Sequence, residues 1–205
     1  EAFVHFQENK KTDFLNEWSH IIFHLPYAFH GRRMIFNNWL NWIKNDITYK
    51  DLLAEIGQEN DELFIKKAYK SNIYKNFIAS KIAPGEKASS HIGNMYSASV
   101  FMSLLSMLNY HFDNNTEIKN QKVGFISYGS GSKAKIFQGE IEANWKEKIK
   151  TSKLFESLNK RKEISFDEYQ DLHKSKKISP LSNHSIRFSH TDDSTNSKGY
   201  RRYKI

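Results

Sequence analysis

Two short apolar runs, each ending in a turn, limit this chain to a small set of folds. HIIFHL at 20–25 stops at Pro26, and KVGFIS at 122–127 leads into a Gly-Ser turn. Both runs have the length and apolar character of buried strands, and Pro26 ends pairing because it has no N–H to donate. The stretches between them have helical periodicity at 32–44, 46–81 and 95–110. This alternation, with a hairpin predicted at 122–145, predicts an α/β fold.

The composition narrows the possible functions mainly through the residue types and motifs that are absent. The 205 residues contain no cysteine, which excludes disulfides, cysteine-ligated metal sites and any thiol nucleophile within this chain. No apolar run approaches the roughly 20 residues of a membrane helix, and no zinc-protease or EF-hand pattern occurs. We therefore expect a cytoplasmic protein with no membrane partner, no metal and no bound cofactor.

The net charge of +8 is spread along a Lys-rich chain, and we interpret most of it as solvated surface. The tail KGYRRYKI is the tight basic and aromatic cluster, and a closing strand explains it about as well as an RNA contact. We expect no nucleic-acid partner, because nucleic-acid binding would leave the motifs described next unexplained.

His24 ends the first predicted strand, directly before the turn at Pro26. The carboxyl ends of strands in α/β folds present functional side chains, and histidine transfers protons near neutral pH. A hydrogen-bonded core histidine is the alternative explanation. The residues alone leave both open.

Two glycine-containing segments add further candidates. In GNMYSAS at 93–99, Gly93 permits a tight turn, and Asn94 offers an amide near a predicted helix start, where N–H groups attract carbonyl oxygens or anions. The alternative is that Asn94 serves only as an N-cap. SYGSGS at 127–132 follows a predicted strand, and such small-residue loops supply N–H or hydroxyl donors to an oxyanion. It matches neither the Walker loop nor the nucleophile elbow.

Taken in order, four segments resemble the 3-hydroxy-3-methylglutaryl-coenzyme A (HMG-CoA) synthase family: FHLPYAFHGRRM, HIGNMYSASVFMSLLSML, KVGFISYGSGSKAKIFQGEI and ISFDEYQDLH. The resemblance covers residues 1–205 as the C-terminal half of that family, with a predicted helical insertion at 45–85. It implies a thiolase-like fold of α-β-α-β-α layers, of which this chain supplies roughly half.

The resemblance also implies a reaction and a set of residues. The family condenses acetyl-CoA with acetoacetyl-CoA to HMG-CoA in the mevalonate pathway of isoprenoid biosynthesis, using a Cys that is acetylated and a Glu as general acid/base. It implies that His24 is catalytic and lies at the acetoacetyl group. The substrate-binding residues that it implies are Pro26, Asn94, Tyr128 and Ser130.

This sequence departs from the family pattern at the coenzyme A site and at the nucleophile. Phe29 stands where the family usually has a Lys that contacts coenzyme A, and the implied contacts are Arg33 and Arg32, since Arg can hold phosphate bidentately. The Cys and Glu belong to the N-terminal half, which this sequence does not include. We therefore expect a tight partner that supplies them, as a separate polypeptide or as another part of a longer chain, and a homodimer of the assembled unit.

Two alternatives stay open at this point. One is the β-branching synthase of polyketide pathways, in which a carrier protein supplies the acetyl donor. The other is a non-catalytic scaffold with a thiolase-like fold.

Overall fold

The computed structural model describes residues 1–58, 62–129, 131, 133–174, 187–191, 198 and 201–204, in two compact units, Glu1–Asn159 and Lys160–Ile205. The strands of the first unit are β1 (Trp18–Phe23), β2 (Lys122–Gly129) and β3 (Lys133–Glu140). Its helices are α1 (Ala2–Lys10), α2 (His30–Ile43), α3 (Ile47–Ile56), α4 (Phe64–Lys70), α5 (Asn72–Lys81), α6 (Ala83–Ile92), α7 (Ala98–Asp113), α8 (Trp145–Ile149) and α9 (Leu154–Asn159). The second unit contains α10 (Phe166–His173), β4 (Arg187–Thr191) and β5 (Arg201–Lys204).

The sheet of the first unit has the order β1-β2-β3. β1 and β2 are parallel, with Ile22 opposite Phe125, and β2 and β3 form an antiparallel hairpin, with Phe125 opposite Phe137. The six helices α2 to α7 lie in the connection between the two parallel strands, as a parallel pair requires a long crossover. The α/β class and the hairpin predicted from the sequence are confirmed.

Helices cover both faces of this sheet. Successive strand residues point to opposite faces, so neighbouring residues of one strand pack into different core clusters. Phe23 and Ile126 belong to a core cluster that also contains apolar residues of α2, α3 and α5. Ile22 and Val123 belong to a second cluster that contains residues of α7 and α8. Burial on both faces explains why the two runs are continuously apolar instead of alternating.

Small residues let α6 and α7 lie close together. A Cβ atom on Gly85 would lie 3.1 Å from Cδ1 of Ile22, a tight contact, and 3.4 Å from the carbonyl oxygen of Ser103 in α7. Ser106 donates to the carbonyl oxygen of Pro84 at 2.7 Å and accepts from the N–H of Ala88 at 3.0 Å. Ser103 and Ser106 therefore lie on the side of α7 that contacts α6.

Pro84 and Gly93 in PGEKASSHIGN predict a loop at 84–94 from the sequence, and this prediction is wrong, because residues 83–92 form α6. Pro84 lies in the first turn, where its missing N–H would have had no partner inside the helix. Gly93 follows the last turn with φ +89°, a backbone conformation that favours glycine. The two residues that suggested a loop mark the beginning and the end of a helix.

His20 and His111 form a buried pair between β1 and α7, with their Nε2 atoms 2.8 Å apart. Burial, together with the charges of His111 and Lys81, lowers the pKa of His20 to about 3. Burial also lowers the pKa of His111. The pair is therefore neutral near pH 7, with one ring donating and the other accepting.

The three-residue spacing of Ser165 and Glu168 predicts a capping box from the sequence, and α10 in the second unit begins with one. Ser165 accepts from the N–H of Glu168 at 3.2 Å, and the Glu168 carboxylate accepts from the N–H of Ser165 at 2.8 Å. β4 and β5 form an antiparallel pair. Among the helices of the described residues, none is long and apolar enough to cross a membrane.

Candidate active site

His24 lies immediately beyond the carboxyl end of β1, at the edge of the sheet where β2 also ends. Its N–H donates to the carbonyl oxygen of Ile126 at 2.8 Å, which extends the parallel ladder one residue past the strand. Its Nδ1 atom lies 2.7 Å from the hydroxyl oxygen of Ser99, in the first turn of α7. The same hydroxyl accepts from the N–H of Leu25 at 2.9 Å. The imidazole is thus fixed between a strand end and a helix start.

Aromatic rings surround the half-buried imidazole. The ring of Tyr128, near the end of β2, meets His24 edge to face with centroids 5.2 Å apart. His30 lies 5.6 Å from Tyr128 and 4.5 Å from Tyr27, measured between ring centroids. Burial lowers the pKa of His30, as do the neighbouring charges of Arg33 and His24. Burial raises the pKa of Tyr128, and Tyr27 raises it further.

The structure brings two of the predicted substrate residues, Pro26 and Tyr128, to this edge of the sheet. Pro26 follows Leu25 and is half-buried. Asn94 is exposed and lies three residues before Ser97. Ser97 is the N-cap of α7, so Asn94 does not cap that helix. Its side-chain oxygen accepts from the N–H of Tyr96 at 2.8 Å and closes a turn there. Ser130 lies outside the described residues.

The two arginines differ in their surroundings. The Nε atom of Arg32 donates to the buried carboxylate of Glu86 at 2.6 Å, and its guanidinium lies 4.5 Å from the ring centroid of Phe29. Burial raises the pKa of Glu86, while Arg32 opposes that rise. Arg33 is exposed on the next position of α2. Arg32 is thus partly buried and held by Glu86, whereas Arg33 is exposed to solvent.

Sequence reasoning missed Ser99 and His30 as members of this site. Ser99 is fully buried in the first turn of α7, but Ser103 and Ser106 are buried serines of the same helix, so nothing in the sequence distinguishes Ser99. His30 begins α2, six residues after His24, but nothing in the sequence brings it to Tyr128. Among the described residues, no group of three or more His, Cys, Asp or Glu side chains could hold a metal ion.

The chain is similar to known proteins in both sequence and structure. The family described as hydroxymethylglutaryl-coenzyme A synthase C terminal matches residues 3–200. A hydroxymethylglutaryl-CoA synthase from Haloferax volcanii is 25% identical over 170 residues, which are 76% of this chain and 38% of the relative. A solved structure of MvaS in complex with 3-hydroxy-3-methylglutaryl coenzyme A matches with a TM-score of 0.62 and 22% identity, over 91% of this chain and 41% of that one. The curacin biosynthetic pathway HMG synthase, in complex with acetyl donor-ACP, matches with a TM-score of 0.63 and 20% identity, over 85% of this chain and 36% of that one.

These structural likenesses establish a thiolase-like α/β fold. In this chain the candidate site lies at the carboxyl ends of the parallel strands β1 and β2. The chain belongs to the HMG-CoA synthase family, a family of acyltransferases, and corresponds to its C-terminal part. It spans 38% of the length of the Haloferax relative.

Proposed function

We propose that this chain supplies the histidine-bearing part of an HMG-CoA synthase, which condenses acetyl-CoA with acetoacetyl-CoA. The observation that carries the proposal is the placement of His24: its backbone continues the β1–β2 ladder, and its ring is held by Ser99 beside Tyr128. A functional imidazole at the carboxyl end of a parallel strand has the position that α/β enzymes use for chemistry. The family membership supplies the reaction class.

His24 acts on the acetoacetyl substrate in this proposal, either by polarising its carbonyl group or by moving a proton. Asn94, Ser130, Pro26 and Tyr128 line the same substrate. The nucleophile that carries the acetyl group lies outside this chain, because the 205 residues contain no cysteine. No cofactor beyond the two acyl-CoA substrates is required.

Coenzyme A is held by Arg33 and Arg32 in this proposal. Arg33 is exposed on α2, and a guanidinium there can bind a phosphate bidentately. Arg32 already donates through Nε to Glu86, so it contributes positive charge and holds Phe29 in place by a cation–π contact. Phe29 stands where the family usually has a lysine, a departure that weakens the coenzyme A contact at that position.

The assembled enzyme contains a second part that carries the Cys and the Glu, and the complete unit is a homodimer. Exposed aromatic side chains near the amino end of α7 support an extensive contact there: Tyr96 is 78% exposed and Phe101 is 69% exposed. Large exposed aromatic groups are typical of surfaces that meet a partner. A cytoplasmic location remains a prediction.

Denaturing mass spectrometry on the natively purified protein tests the partner first. We expect a Cys-bearing polypeptide segment that gains an acetyl group after brief exposure to acetyl-CoA. The His24→Ala variant of that assembly should still be acetylated, yet should lose roughly 10²- to 10⁴-fold in condensation. Exposed His5 in α1 provides the control, and His5→Ala should retain full turnover. Unchanged condensation by His24→Ala would refute the proposal.

A carrier-protein-dependent β-branching synthase is the second candidate. The likeness to the curacin pathway HMG synthase, solved with acetyl donor-ACP, favours it. The two candidates differ in the donor. Parallel incubations with acetyl-CoA and with an acetylated carrier protein, followed by the mass of the Cys-bearing segment, separate them by which donor transfers its acetyl group.

A further inference from the structure

We propose that Ser99 is a positioning residue that fixes the tautomer of His24, with the proton on Nε2, so that neutral His24 acts as a hydrogen-bond donor to a substrate oxygen. The tautomer assignment stands on the contacts of the chain itself. Its catalytic consequence rests on the proposed function.

The argument begins with the hydroxyl of Ser99 and the groups that surround it. Its oxygen accepts from the N–H of Leu25 at 2.9 Å, and an amide N–H can only donate. The side chain is fully buried, so water does not take the hydroxyl proton. Nδ1 of His24, 2.7 Å away, can accept it. Every group is satisfied when Ser99 donates to Nδ1.

The opposite arrangement leaves a group unsatisfied. If Nδ1 carried the proton, the serine oxygen would accept two hydrogen bonds, from Leu25 and from His24. The serine proton would then have no acceptor among the contacts of the described residues. A buried polar hydrogen without a partner is costly, so the tautomer with the proton on Nε2 is favoured.

The backbone on either side of His24 is fixed, and the contacts of the imidazole with Ser99 and Tyr128 orient the ring. The N–H of His24 donates to the carbonyl oxygen of Ile126, and the N–H of Leu25 donates to the hydroxyl of Ser99. Hydrogen bonds therefore hold the backbone on both sides of the Cα atom of His24. Rotation of the imidazole would break its bond to Ser99. Nε2 has no partner among the described residues, which leaves its N–H available to a ligand.

This geometry separates two roles for His24. With its proton on Nε2, the neutral imidazole donates to a carbonyl or enolate oxygen of an acyl thioester, and no bond is formed or broken at the ring. Preorganised donors of this kind stabilise negative charge that develops on oxygen. An unprotonated Nε2 would instead be needed for proton abstraction.

Nitrogen-15 spectra of the histidine rings test the inference directly. The purified chain is labelled with ¹⁵N-histidine and measured at about pH 8.5, two units above the ordinary histidine pKa, and the His24→Gln variant identifies the His24 signals. Ser99→Ala removes the hydroxyl. Ser103→Ala is the matched control, because Ser103 is equally buried one turn further along α7 and its hydroxyl has no partner within the described residues.

We expect the unaltered chain and Ser103→Ala to show His24 with a protonated Nε2 and an unprotonated Nδ1. Ser99→Ala should lose this single pattern and show signals averaged over both tautomers. A protonated Nδ1 in the unaltered chain, or a Ser99→Ala spectrum identical to it, would overturn the inference. If Ser99→Ala does not fold, the spectrum of the unaltered chain decides alone.

Activity separates this inference from the proposed function. In the acetylated assembly, Ser99→Ala should lower the turnover number about 10²-fold, the scale of a misplaced catalytic group, with KM nearly unchanged, while Ser103→Ala retains activity. The expected tautomer together with unchanged turnover in both variants would confirm the assignment of the proton and refute the positioning role of Ser99 in catalysis. The His24→Ala variant tests the proposed function separately.

Discussion

Replacement of Gly124 by alanine tests how closely the sheet packs against Trp18. A Cβ atom at Gly124 would lie 2.5 Å from Cδ2 of Trp18 and closer still to Cε3 and Cζ3, whereas carbon atoms in contact are normally 3.5–4.0 Å apart. The indole cannot retreat easily. It is fully buried, its Nε1 donates to Gln138 at 2.8 Å, and its ring centroid lies 4.8 Å from that of Phe14.

The expected cost follows from these distances. Overpacking of a core costs roughly 1–3 kcal/mol, and contact along one edge of a fixed indole places this case at about 3 kcal/mol. Alanine regains about 0.5 kcal/mol because it restricts the unfolded chain. We expect Gly124→Ala to lower the free energy of unfolding by about 2.5 kcal/mol, and the midpoint of thermal unfolding by roughly 5–10 °C for a chain of this size.

The same hairpin offers two graded controls. A Cβ at Gly129 would have no atom within 4 Å, so Gly129→Ala should be neutral or slightly stabilising. A Cβ at Gly139 would lie 3.3 Å from Cε2 of Phe125, and Gly139→Ala should fall between the two. Urea unfolding measured by tryptophan fluorescence compares all three variants. Equal stability of Gly124→Ala and Gly129→Ala would refute the reasoning, as would a Trp18→Leu change that costs as much in the Gly124→Ala background as alone.

Three further predictions concern a buried histidine pair, a buried carboxylate and a helix cap. Because burial holds the pKa of His20 near 3 and lowers that of His111, the unfolded chain binds more protons below about pH 6.5. Urea unfolding should therefore show stability falling on acidification, by up to about 1.4 kcal/mol per pH unit for each histidine. Arg32→Ala leaves the Glu86 carboxylate buried without its partner, and since Arg32 is one-third exposed we expect a loss of about 2 kcal/mol, less at low pH where Glu86 is protonated. Ser165→Ala should cost α10 about 1 kcal/mol, seen as faster hydrogen exchange of its amides.

Each of these has its own control. A His111→Gln variant should show a shallower fall with pH, and an unchanged slope would contradict the assignment to the pair. Combining Arg32→Ala with Glu86→Gln should recover part of the stability, since the charge is removed; no recovery would contradict the ion-pair argument. Exchange that accelerates in α7 as well as in α10 would show that Ser165→Ala does not act through its cap alone.

The local elements followed from the sequence wherever one physical rule dominated. Continuous apolar runs predicted β1 and β2, because strands buried on both faces need no alternation. The Ser165 and Glu168 spacing predicted a capping box, because both hydrogen bonds form within one turn. The prediction of a loop at 84–94 was wrong because proline and glycine, here Pro84 and Gly93, occur both in loops and at helix ends. Only packing against α7 selects the helix.

The sequence by itself determined the α/β class, the position of His24 at a strand end and the resemblance to the HMG-CoA synthase family, since each depends on residues that are close together in the chain. Only the tertiary structure decided what His24 can do. Ser99 lies 75 residues further along the chain, and its hydroxyl meets the imidazole because α7 begins at the edge where β1 and β2 end. Contacts of this range are set by how helices pack on a sheet, and a single sequence does not encode them in any local pattern.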